Sequence, residues 1–270
     1  MKHSVIQISD LSVDYDGSPA LQSVSVSIGS GRITAICGAN GSGKSTLLRT
    51  MACLQRPSRG QVFFEGQDIS LMRRIELARK IAILGQMPEV PVGIAVEELV
   101  ENGRHPHRGL FARLSKNDKD IIQRAIVQVG LWELRHRQVA SLSGGERQRA
   151  WVALALAQNP SVLFLDEPTN FLDIRHQAEL LTLLKKLNRE RNLTIIAVLH
   201  DLNQVMELAD DVILMRKGRL MASGDPESVL TKQHLKEAFD FEMDVIPHPA
   251  LPISFCLPRW IGDDKQQATK

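Results

Sequence analysis

The 270-residue sequence has few aromatic residues and few cysteines, and these shortages already exclude several classes of protein. Its three cysteines are odd in number and form no Cys-x-x-Cys pair, which argues against a disulfide framework or a zinc ribbon. We therefore expect Cys37, Cys53 and Cys256 to be ordinary packing residues. Apolar runs such as 162–165 and 195–199 are strand-sized and far below the ~18 residues of a membrane-spanning helix. Because no secretory signal is visible either, the sequence predicts a protein that stays in the cytosol.

Net charge is also small, at +2 with histidine neutral. A charge of this size does not imply a nucleic-acid partner. Hydrophobic residues make up 43% of the chain and charged residues 24%, close to the averages of soluble globular proteins. We therefore expect a folded globular protein whose partners must be identified from local motifs.

Strand-like and helix-like segments alternate along the chain, and this alternation predicts an α/β sheet covered by helices. Strands are expected over 24–28, 33–37, 62–64, 162–165, 194–199 and 212–215, and helices from 44, from about 146 to 158, over 174–191 and over 202–208. The stretch 87–109 is rich in proline and glycine and is expected to be a loop. Ser115 to Asp118 form a predicted capping box that opens a further helix. Since no convincing strand falls between about 88 and 158, we expect a helical subdomain inserted into the sheet.

A glycine-rich loop, GANGSGKS, lies between a predicted strand and a predicted helix at residues 38–45 and fits the pattern G-x-x-x-x-G-K-S/T. Its glycines let backbone N–H groups curl around phosphate oxygens, and the helix N-terminus adds partial positive charge. Lys44 is expected to reach the outer phosphates, and the Ser45 hydroxyl to bind Mg²⁺. The residues predicted to hold the phosphates are Gly38, Asn40, Gly41, Ser42, Gly43, Lys44, Ser45 and Thr46.

Two carboxylates follow the apolar run 162–165. Asp166 is placed to hold the metal from a buried strand next to the phosphate loop. Glu167 is placed to accept a proton from, or to orient, the water that attacks the γ-phosphate, a role worth about 10²–10⁴ in rate. An acidic turn at a strand end is the alternative for this pair taken alone, but the phosphate loop upstream favours the metal and the base.

A second helix N-terminus suited to phosphate is LSGGE at 142–146, which opens with a hydroxyl and two glycines. At this point the chain closely resembles the ATP-binding cassette of an ABC transporter, over essentially residues 1–240. The matching elements, in the order of that family, are Tyr15, Walker A at 38–45, Gln86, the signature 142–146, Walker B ending in Asp166 and Glu167, the stretch 170–173, and His200.

The resemblance implies further roles on the nucleotide's own chain. Tyr15 would stack on adenine, although an aromatic residue at a strand end is also common in folds. Gln86 would touch Mg²⁺ and sense a membrane partner, joining Ser45 and Asp166 as metal ligands. His200 would contact the γ-phosphate, although a single histidine is more often structural.

The resemblance also implies that two chains pair head to tail with ATP between them. Ser143, Gly144 and Gly145 would bind the γ-phosphate held by the opposite subunit, and Asp173 would communicate across the dimer. The expected cofactors are ATP and Mg²⁺, and dimerisation would be part of catalysis.

The implied fold is a P-loop NTPase of the RecA-like class, with an α/β core sheet, the inserted helical subdomain and an N-terminal antiparallel β part. We expect residues 1–240 to form the ATPase domain, with the helical subdomain at about 88–158. Residues 241–270 would then be only a short C-terminal segment with a frayed polar tail.

Stretches 103–107 and 172–177 resemble the ATPases of iron-siderophore uptake. Stretches 150–151 and 199–204 also match that branch of the family. The implied function is ATP hydrolysis that powers import of a ferric siderophore through a separate permease, at the cytoplasmic face of the plasma membrane. An extracytoplasmic binding protein would feed that permease. Haem or cobalamin import stays open as an alternative, and so does a soluble regulatory or assembly ATPase without a permease.

A basic loop after Gln86 is the predicted permease contact. The stretch 103–111 carries Arg104 and Arg108, followed by Arg113, with Leu110 and Phe111 expected to be exposed. This mixture suits an interface with a polar rim and an apolar anchor. His105 and His107 lack enough accompanying ligands for a metal site and are expected to face solvent or the permease.

Overall fold

The computed structural model describes residues 4–15, 17–85, 93–108, 113–250 and 252–259. The strands in these residues are β1 Ser4–Tyr15, β2 Ser18–Gly29, β3 Ile33–Gly38, β4 Arg59–Phe64, β5 Gln67–Asp68, β6 Ile81–Leu84, β7 Val162–Asp166, β8 Thr194–Val198, β9 Asp211–Arg216, β10 Arg219–Gly224, β11 Met243–Pro247 and β12 Ser254–Pro258. The α-helices are α1 Lys44–Met51, α2 Arg74–Lys80, α3 Val96–Glu101, α4 Lys116–Gln128, α5 Gly144–Ala157, α6 Ile174–Arg191, α7 Leu202–Leu208, α8 Pro226–Val229 and α9 Lys232–Phe239. Short 3-10 helices cover Ile69–Leu71, Asn102–His107, Trp132–Leu134 and Val139–Ser141.

The core sheet has the strand order β10-β9-β3-β8-β7-β6. Its inner strands run parallel, and β10 pairs antiparallel with β9 at one edge. Every residue of β3, β7 and β8 is buried, because helices or the second sheet cover both faces. The apolar runs of the sequence are therefore central strands, and the predicted α/β architecture is confirmed.

A second sheet, with the order β2-β1-β4-β5, is antiparallel throughout. In β1, buried apolar residues such as Ile6, Ile8 and Leu11 face the core while polar residues face outward. These side chains pack with the buried face of α1, including Leu47 and Leu48, in one hydrophobic cluster. The expected N-terminal antiparallel part is therefore present, and it packs against the helix that follows the phosphate loop.

The part between β6 and β7 is helical, and the described residues there contain no strand. Helix α5 packs against α3 and α4, and its buried residues lie on most of its circumference. The predicted capping box is present, because Ser115 caps α4 and its hydroxyl accepts the N–H of Asp118 at 3.1 Å. The stretch expected to be loop contains α3 as well as the 3-10 helix 102–107. We attribute this error to the proline and glycine content, since α3 has only six residues and is stabilised mainly by packing.

Two smaller predictions about the region after the phosphate loop are wrong. The apolar spacing 47, 48, 51 and 54 places Leu54 on the buried face of the first predicted helix. In the structure α1 ends at Met51, and Leu54 is 64% exposed. The cause is a reversal at Cys53, whose φ of +59° ends the helical path and leaves this cysteine exposed. Cys37 and Cys256 are buried as expected, and burial raises the pKa of the Cys37 thiol to about 12.

The described residues that follow α9 contain regular secondary structure. Strands β11 and β12 form an antiparallel hairpin that packs on α7. The side chain of Asn203 on α7 accepts the N–H of Cys256 at 2.9 Å and donates to its carbonyl oxygen at 3.4 Å. Sequence patterns give little signal for this hairpin, because both strands leave residues such as Ile246 and Phe255 exposed.

Arg104 is buried, which corrects the expectation that it faces a permease. It is 4% exposed, and its Nε donates to Oδ1 of Asp118 at 2.8 Å. Its Nη1 donates to the carbonyl oxygen of Ala157 at 2.7 Å, so one side chain joins the 3-10 helix 102–107 to α4 and α5. At Arg104, the basic stretch therefore forms a buried ion pair with Asp118 and not an exposed surface.

We expect Arg104→Ala to destabilise the protein by about 3–5 kcal/mol, because it leaves the buried carboxylate of Asp118 without its positively charged partner. Hydrogen bonds from Ser115, together with Arg104, hold the pKa of Asp118 at about 2. Stability from this group is therefore present above the ordinary carboxyl pKa of 3.8 and is lost as pH falls toward 2. Chemical denaturation of wild type and variant at pH 7 and below pH 4 measures both effects. Equal unfolding free energies at pH 7 would contradict the prediction.

In the described part of the chain, no helix combines the length and the apolarity that crossing a membrane requires.

Candidate nucleotide-binding site

One edge of the core sheet carries the phosphate loop, Asp166, Glu167 and His200. The phosphate loop follows β3, Asp166 ends β7, and His200 comes two residues after β8. These strands are parallel neighbours in the order β3-β8-β7, so their carboxyl ends face the same edge. This is the edge at which open α/β sheets bind ligands.

The phosphate loop needs glycine at two positions for reasons of space as well as conformation. Gly38 has a φ of +142°, and a Cβ there would lie 2.2 Å from the carbonyl oxygen of Met215. Gly43 has a φ of +98°, and a Cβ there would lie 2.7 Å from the carbonyl oxygen of Ala20. The loop is thus pressed against β9 and β2 from behind. Gly41, with a φ of +75°, has open space in front of it.

Lys44 spans this loop and is 95% buried. Its Nζ donates to the carbonyl oxygens of Gly38 and Ala39, at 2.9 and 3.0 Å. Burial lowers its pKa, while the nearby carboxylates of Glu167 and Asp166 favour its charged form. A buried ammonium group facing the open loop is suited to bind anionic oxygens.

The oxygens expected to bind Mg²⁺ lie together. The hydroxyl of Ser45 donates to Oδ1 of Asp166 at 2.9 Å, and Asp166 is 2% exposed. Hydroxyl and carboxylate oxygens are the hard donors that Mg²⁺ prefers, so this pair fits the expected ion. Arg49, one helical turn after Ser45, lies 3.8 Å from the other carboxylate oxygen of Asp166. Arg49 was missed in the sequence, where its only signal is the four-residue spacing from Ser45.

Glu167 has a partner on each of its carboxylate oxygens. Oε1 lies 2.6 Å from Nε2 of His200, and Oε2 accepts a hydrogen bond from the side-chain amide of Asn170. The backbone of Glu167 has a φ of +56°, a left-handed conformation that is uncommon outside glycine and is found at functional sites. Asn170 falls in the matched stretch 170–173, but the sequence alone assigned it no role.

A cleft of about 280 Å³ opens in front of these groups. Tyr15 stands at its rim and is 43% exposed. Its lining consists of Tyr15, Ala20, Asn40, Gly41, Gly43, Lys44, Ser45, Thr46 and Glu167. The cleft joins an aromatic ring to the phosphate loop, as the base and the phosphates of a nucleotide require. Gln86, expected to complete the metal site, lies outside the described residues.

The signature residues lie elsewhere in the chain. Among the described residues that line the cleft, Ser143, Gly144 and Gly145 are absent. Ser143 caps α5, and both Ser143 and Gly144 are exposed. An exposed helix N-terminus that does not face the cleft of its own chain is free to face that of another copy.

Asp173 packs next to the signature rather than next to the cleft. It caps α6, accepting the N–H of His176, and its Oδ1 lies 2.9 Å from Nδ1 of that histidine. The His176 ring lies so close to Gly145 that a Cβ there would be 2.0 Å from it. The loop ending at Asp173 and the signature therefore form one continuous surface.

The histidines of the 103–107 stretch lie near each other only in sequence. His105 is exposed and its ring contacts Asn102 Oδ1 at 3.0 Å, whereas the ring of His107 contacts the carbonyl oxygen of Gln158 at 2.8 Å. Burial lowers the pKa of His107. Leu110 and Phe111, expected to be exposed, lie outside the described residues.

Comparison with known proteins identifies the family. The family profile for ABC transporters matches residues 21–170. The chain is 41% identical over 248 residues to the ferric enterobactin transport ATP-binding protein FepC of Escherichia coli, covering 92% of each protein. It is 44% identical over 242 residues to the petrobactin import ATP-binding protein FpuC of Bacillus anthracis, covering 90% of this chain and 88% of that protein.

Solved structures of ABC transporter cassettes superimpose on this chain. A metal-chelate class ABC transporter in an inward-facing conformation superimposes with a TM-score of 0.84 at 28% identity, over 96% of this chain and 98% of that chain. The dimeric bacterial cassette MJ0796 superimposes with a TM-score of 0.72 at 28% identity, over 82% and 98% of the two chains. These similarities confirm the resemblance to iron-siderophore import ATPases and the predicted fold class. The chain belongs to the ABC transporter family, as an ATP-binding protein that hydrolyses ATP to drive transport.

Proposed function

We propose that this protein is the ATP-hydrolysing subunit of an importer that carries ferric siderophores through a separate membrane permease. The observation that carries the proposal is the cleft in which Lys44, Ser45 and Glu167 converge, on a chain similar over nine-tenths of its length to siderophore import ATPases. As a subunit bound to a permease, it acts peripherally at the cytoplasmic face of the plasma membrane.

Each residue of the cleft has a distinct task in hydrolysis. The phosphate loop and Lys44 bind the phosphate oxygens, and Tyr15 stacks on the adenine ring. Ser45 and Asp166 hold Mg²⁺, which when bound neutralises charge on the phosphates, and Gln86 completes this set. Glu167 orients the attacking water and takes its proton, while His200 holds the carboxylate in place and contacts the γ-phosphate.

The active form is a homodimer with two composite sites. Ser143, Gly144 and Gly145 are exposed or packed away from their own cleft, which supports a role on the ATP of a second copy. Phe171 and Ile174, beside Asp173, are 95% and 86% exposed and give this surface an apolar anchor. The structural relative MJ0796 is a dimeric cassette.

The permease docks on an apolar patch beside α2 rather than on Arg104. Leu54, which is 64% exposed, lines a cavity of about 320 Å³ together with Met72 and Arg74. Leu71 and Ile75, next to those two residues in the chain, are 77% and 43% exposed. Ile83, which also lines this cavity, lies on β6, the strand that leads to Gln86. A permease helix seated here would thus lie against β6, which ends two residues before Gln86 in the chain.

We expect the double change Leu71→Asp and Ile75→Glu to lower siderophore uptake by cells about tenfold or more, because it places charge in an apolar interface. Hydrolysis by the purified protein should stay within about twofold of wild type, since neither residue lines the cleft. Val127→Asp is the control, because the exposure of Val127, 52%, lies between those of Leu71 and Ile75, and Val127 lies on α4. Normal uptake by the double variant would place the permease elsewhere.

Uptake of radioactive iron by cells that lack the native protein tests the proposed function. Cells that carry the wild-type protein should take up iron as a ferric catecholate or hydroxamate, and cells with Glu167→Gln should not. Haem or cobalamin uptake in place of siderophore uptake would reassign the cargo. ATP hydrolysis with no effect on any uptake, and no permease recovered with the protein from membranes, would favour a soluble regulatory or assembly ATPase.

A further inference from the structure

Two side-chain amides connect α7 to the loop that precedes α6. Gln204 on α7 donates from Nε2 to Oε1 of Gln177 on α6, at 2.9 Å. Gln177 donates from its own Nε2 to the carbonyl oxygens of Thr169 and Leu172, at 3.3 and 3.0 Å. The two glutamines thus join two helices and one loop through a continuous chain of hydrogen bonds.

The loop held by Gln177 is a tight turn. The N–H of Leu172 also donates to the carbonyl oxygen of Thr169, at 3.4 Å, so Gln177 binds both ends of the turn. Inside it, Phe171 has a φ of +62°, a conformation disfavoured for an aromatic residue unless its surroundings impose it. Asn170, also inside, donates to Oε2 of Glu167. The position of the turn therefore sets where this amide meets the carboxylate.

These contacts close a ring around the site. Oε1 of Glu167 lies 2.6 Å from Nε2 of His200, and α7 begins at Leu202, two residues later. From α7 the ring continues through the hydrogen bonds of Gln204 and Gln177 to the turn 169–172. The amide of Asn170 in that turn then leads back to Glu167. Because the ring has no free end, a shift of the turn is passed to the carboxylate and the histidine together.

The amide of Gln204 is oriented at a cost. Its Oε1 is buried and has no hydrogen-bond partner among the described residues. The amide nitrogen of Gln204 is thereby directed to Gln177, whose Oε1 accepts its hydrogen bond.

We propose that Gln177 and Gln204 are positioning residues for ATP hydrolysis. They hold the turn 169–172 in register with the start of α7 and thereby keep the carboxylate of Glu167 aligned with His200. The proposal rests on the hydrolytic role proposed for Glu167. The glutamines fall in the stretches 172–177 and 199–204, where the family resemblance implies roles for Asp173 and His200 but none for Gln177 or Gln204.

Steady-state hydrolysis by the purified full chain tests the proposal. We expect Gln177→Ala and Gln204→Ala each to lower kcat about tenfold, since small displacements of a catalytic group are costly in rate. KM for ATP should stay within about twofold, because neither glutamine lines the cleft. Gln204→Glu should lower kcat as much as Gln204→Ala, since it keeps the size of the side chain and removes the donor.

Asn188→Ala is the matched control. Asn188 also lies on α6 and donates its amide to two backbone carbonyls, of Gly31 and Leu193, at 3.0 and 2.8 Å, at the other end of the helix. Its kcat should equal that of wild type, while the melting temperatures of all variants should agree within about 3 °C. The double variant Gln177→Ala/Gln204→Ala should be no slower than either single variant, because both act through one chain of bonds.

Three outcomes overturn the proposal, namely a kcat of the glutamine variants equal to that of Asn188→Ala, a loss expressed in KM, or a double variant about a hundredfold slower. These results concern the glutamines alone as long as the wild type hydrolyses ATP and Glu167→Gln does not. A wild type without ATPase activity would instead refute the proposed function together with this inference.

Discussion

Replacing Glu167 with glutamine should lower the rate of ATP hydrolysis by about 10²–10⁴, the usual contribution of a positioned general base. Glutamine keeps the shape of the side chain and removes the group that takes the proton of the attacking water. The hydrogen bond from Asn170 loses its charged acceptor. The shape of the cleft and its other lining residues stay the same. ATP should therefore bind normally and remain uncleaved.

Single-turnover hydrolysis and equilibrium binding of ATP separate these two effects. Glu207→Gln is the control, because Glu207 is an exposed acid on α7 whose ion pair with Lys185, at 3.4 Å, lies outside the cleft. Its rate should match that of wild type. A Glu167→Gln protein that retained a tenth or more of the wild-type rate would assign the general base to another group.

Replacing Lys44 with alanine should weaken ATP binding by about 10²–10⁴. Charge-assisted hydrogen bonds are worth about 1.5–3 kcal/mol each, and the ammonium group is placed to make two with the phosphates. The variant also loses the bonds to Gly38 and Ala39 that span the loop. Because Lys44 is buried, bulk water cannot take the place of its ammonium group beside the phosphates.

Fluorescent-nucleotide titration measures this loss, with Lys119→Ala as the control at an exposed lysine of α4. The control should bind ATP as tightly as wild type does. Affinity of Lys44→Ala within about threefold of wild type would contradict the assignment of the phosphate loop.

The phosphate loop could be predicted because its chemistry is local. Residues 38–45 are contiguous, and a strand on one side with a helix on the other fixes their direction. The ends of β7 and β8 could be predicted for the same reason, since a buried apolar run followed by a polar residue marks the edge of a parallel sheet. Asp166, Glu167 and His200 accordingly lie where the order of motifs placed them.

Long-range partners could not be predicted. Arg104 lies in a basic stretch that suggests an exposed surface, and only the fold brings Asp118 and Ala157 to it. The bridge from Gln204 to Gln177 joins residues 27 positions apart on different helices. Amides of this kind carry no charge and no periodic pattern, so a sequence gives no sign of which ones meet.

Two short elements could not be predicted from the sequence for a different reason. Helix α3 and the hairpin of β11 and β12 are each too short to show a period, and their stability comes from packing on α5 and α7. The domain boundaries at 88, 158 and 240 stay predictions.

Static light scattering of Glu167→Gln with each nucleotide tests most directly the claim that two copies share each ATP. The protein should be a monomer with ADP and a dimer with ATP, because a ligand held across an interface stabilises the associated state. Adding Ser143→Arg, which places a bulky side chain where the γ-phosphate must lie, should abolish the dimer and leave Lys44 and Ser45 intact. A mass that does not respond to ATP, or an ATP-dependent dimer that survives Ser143→Arg, would contradict the account.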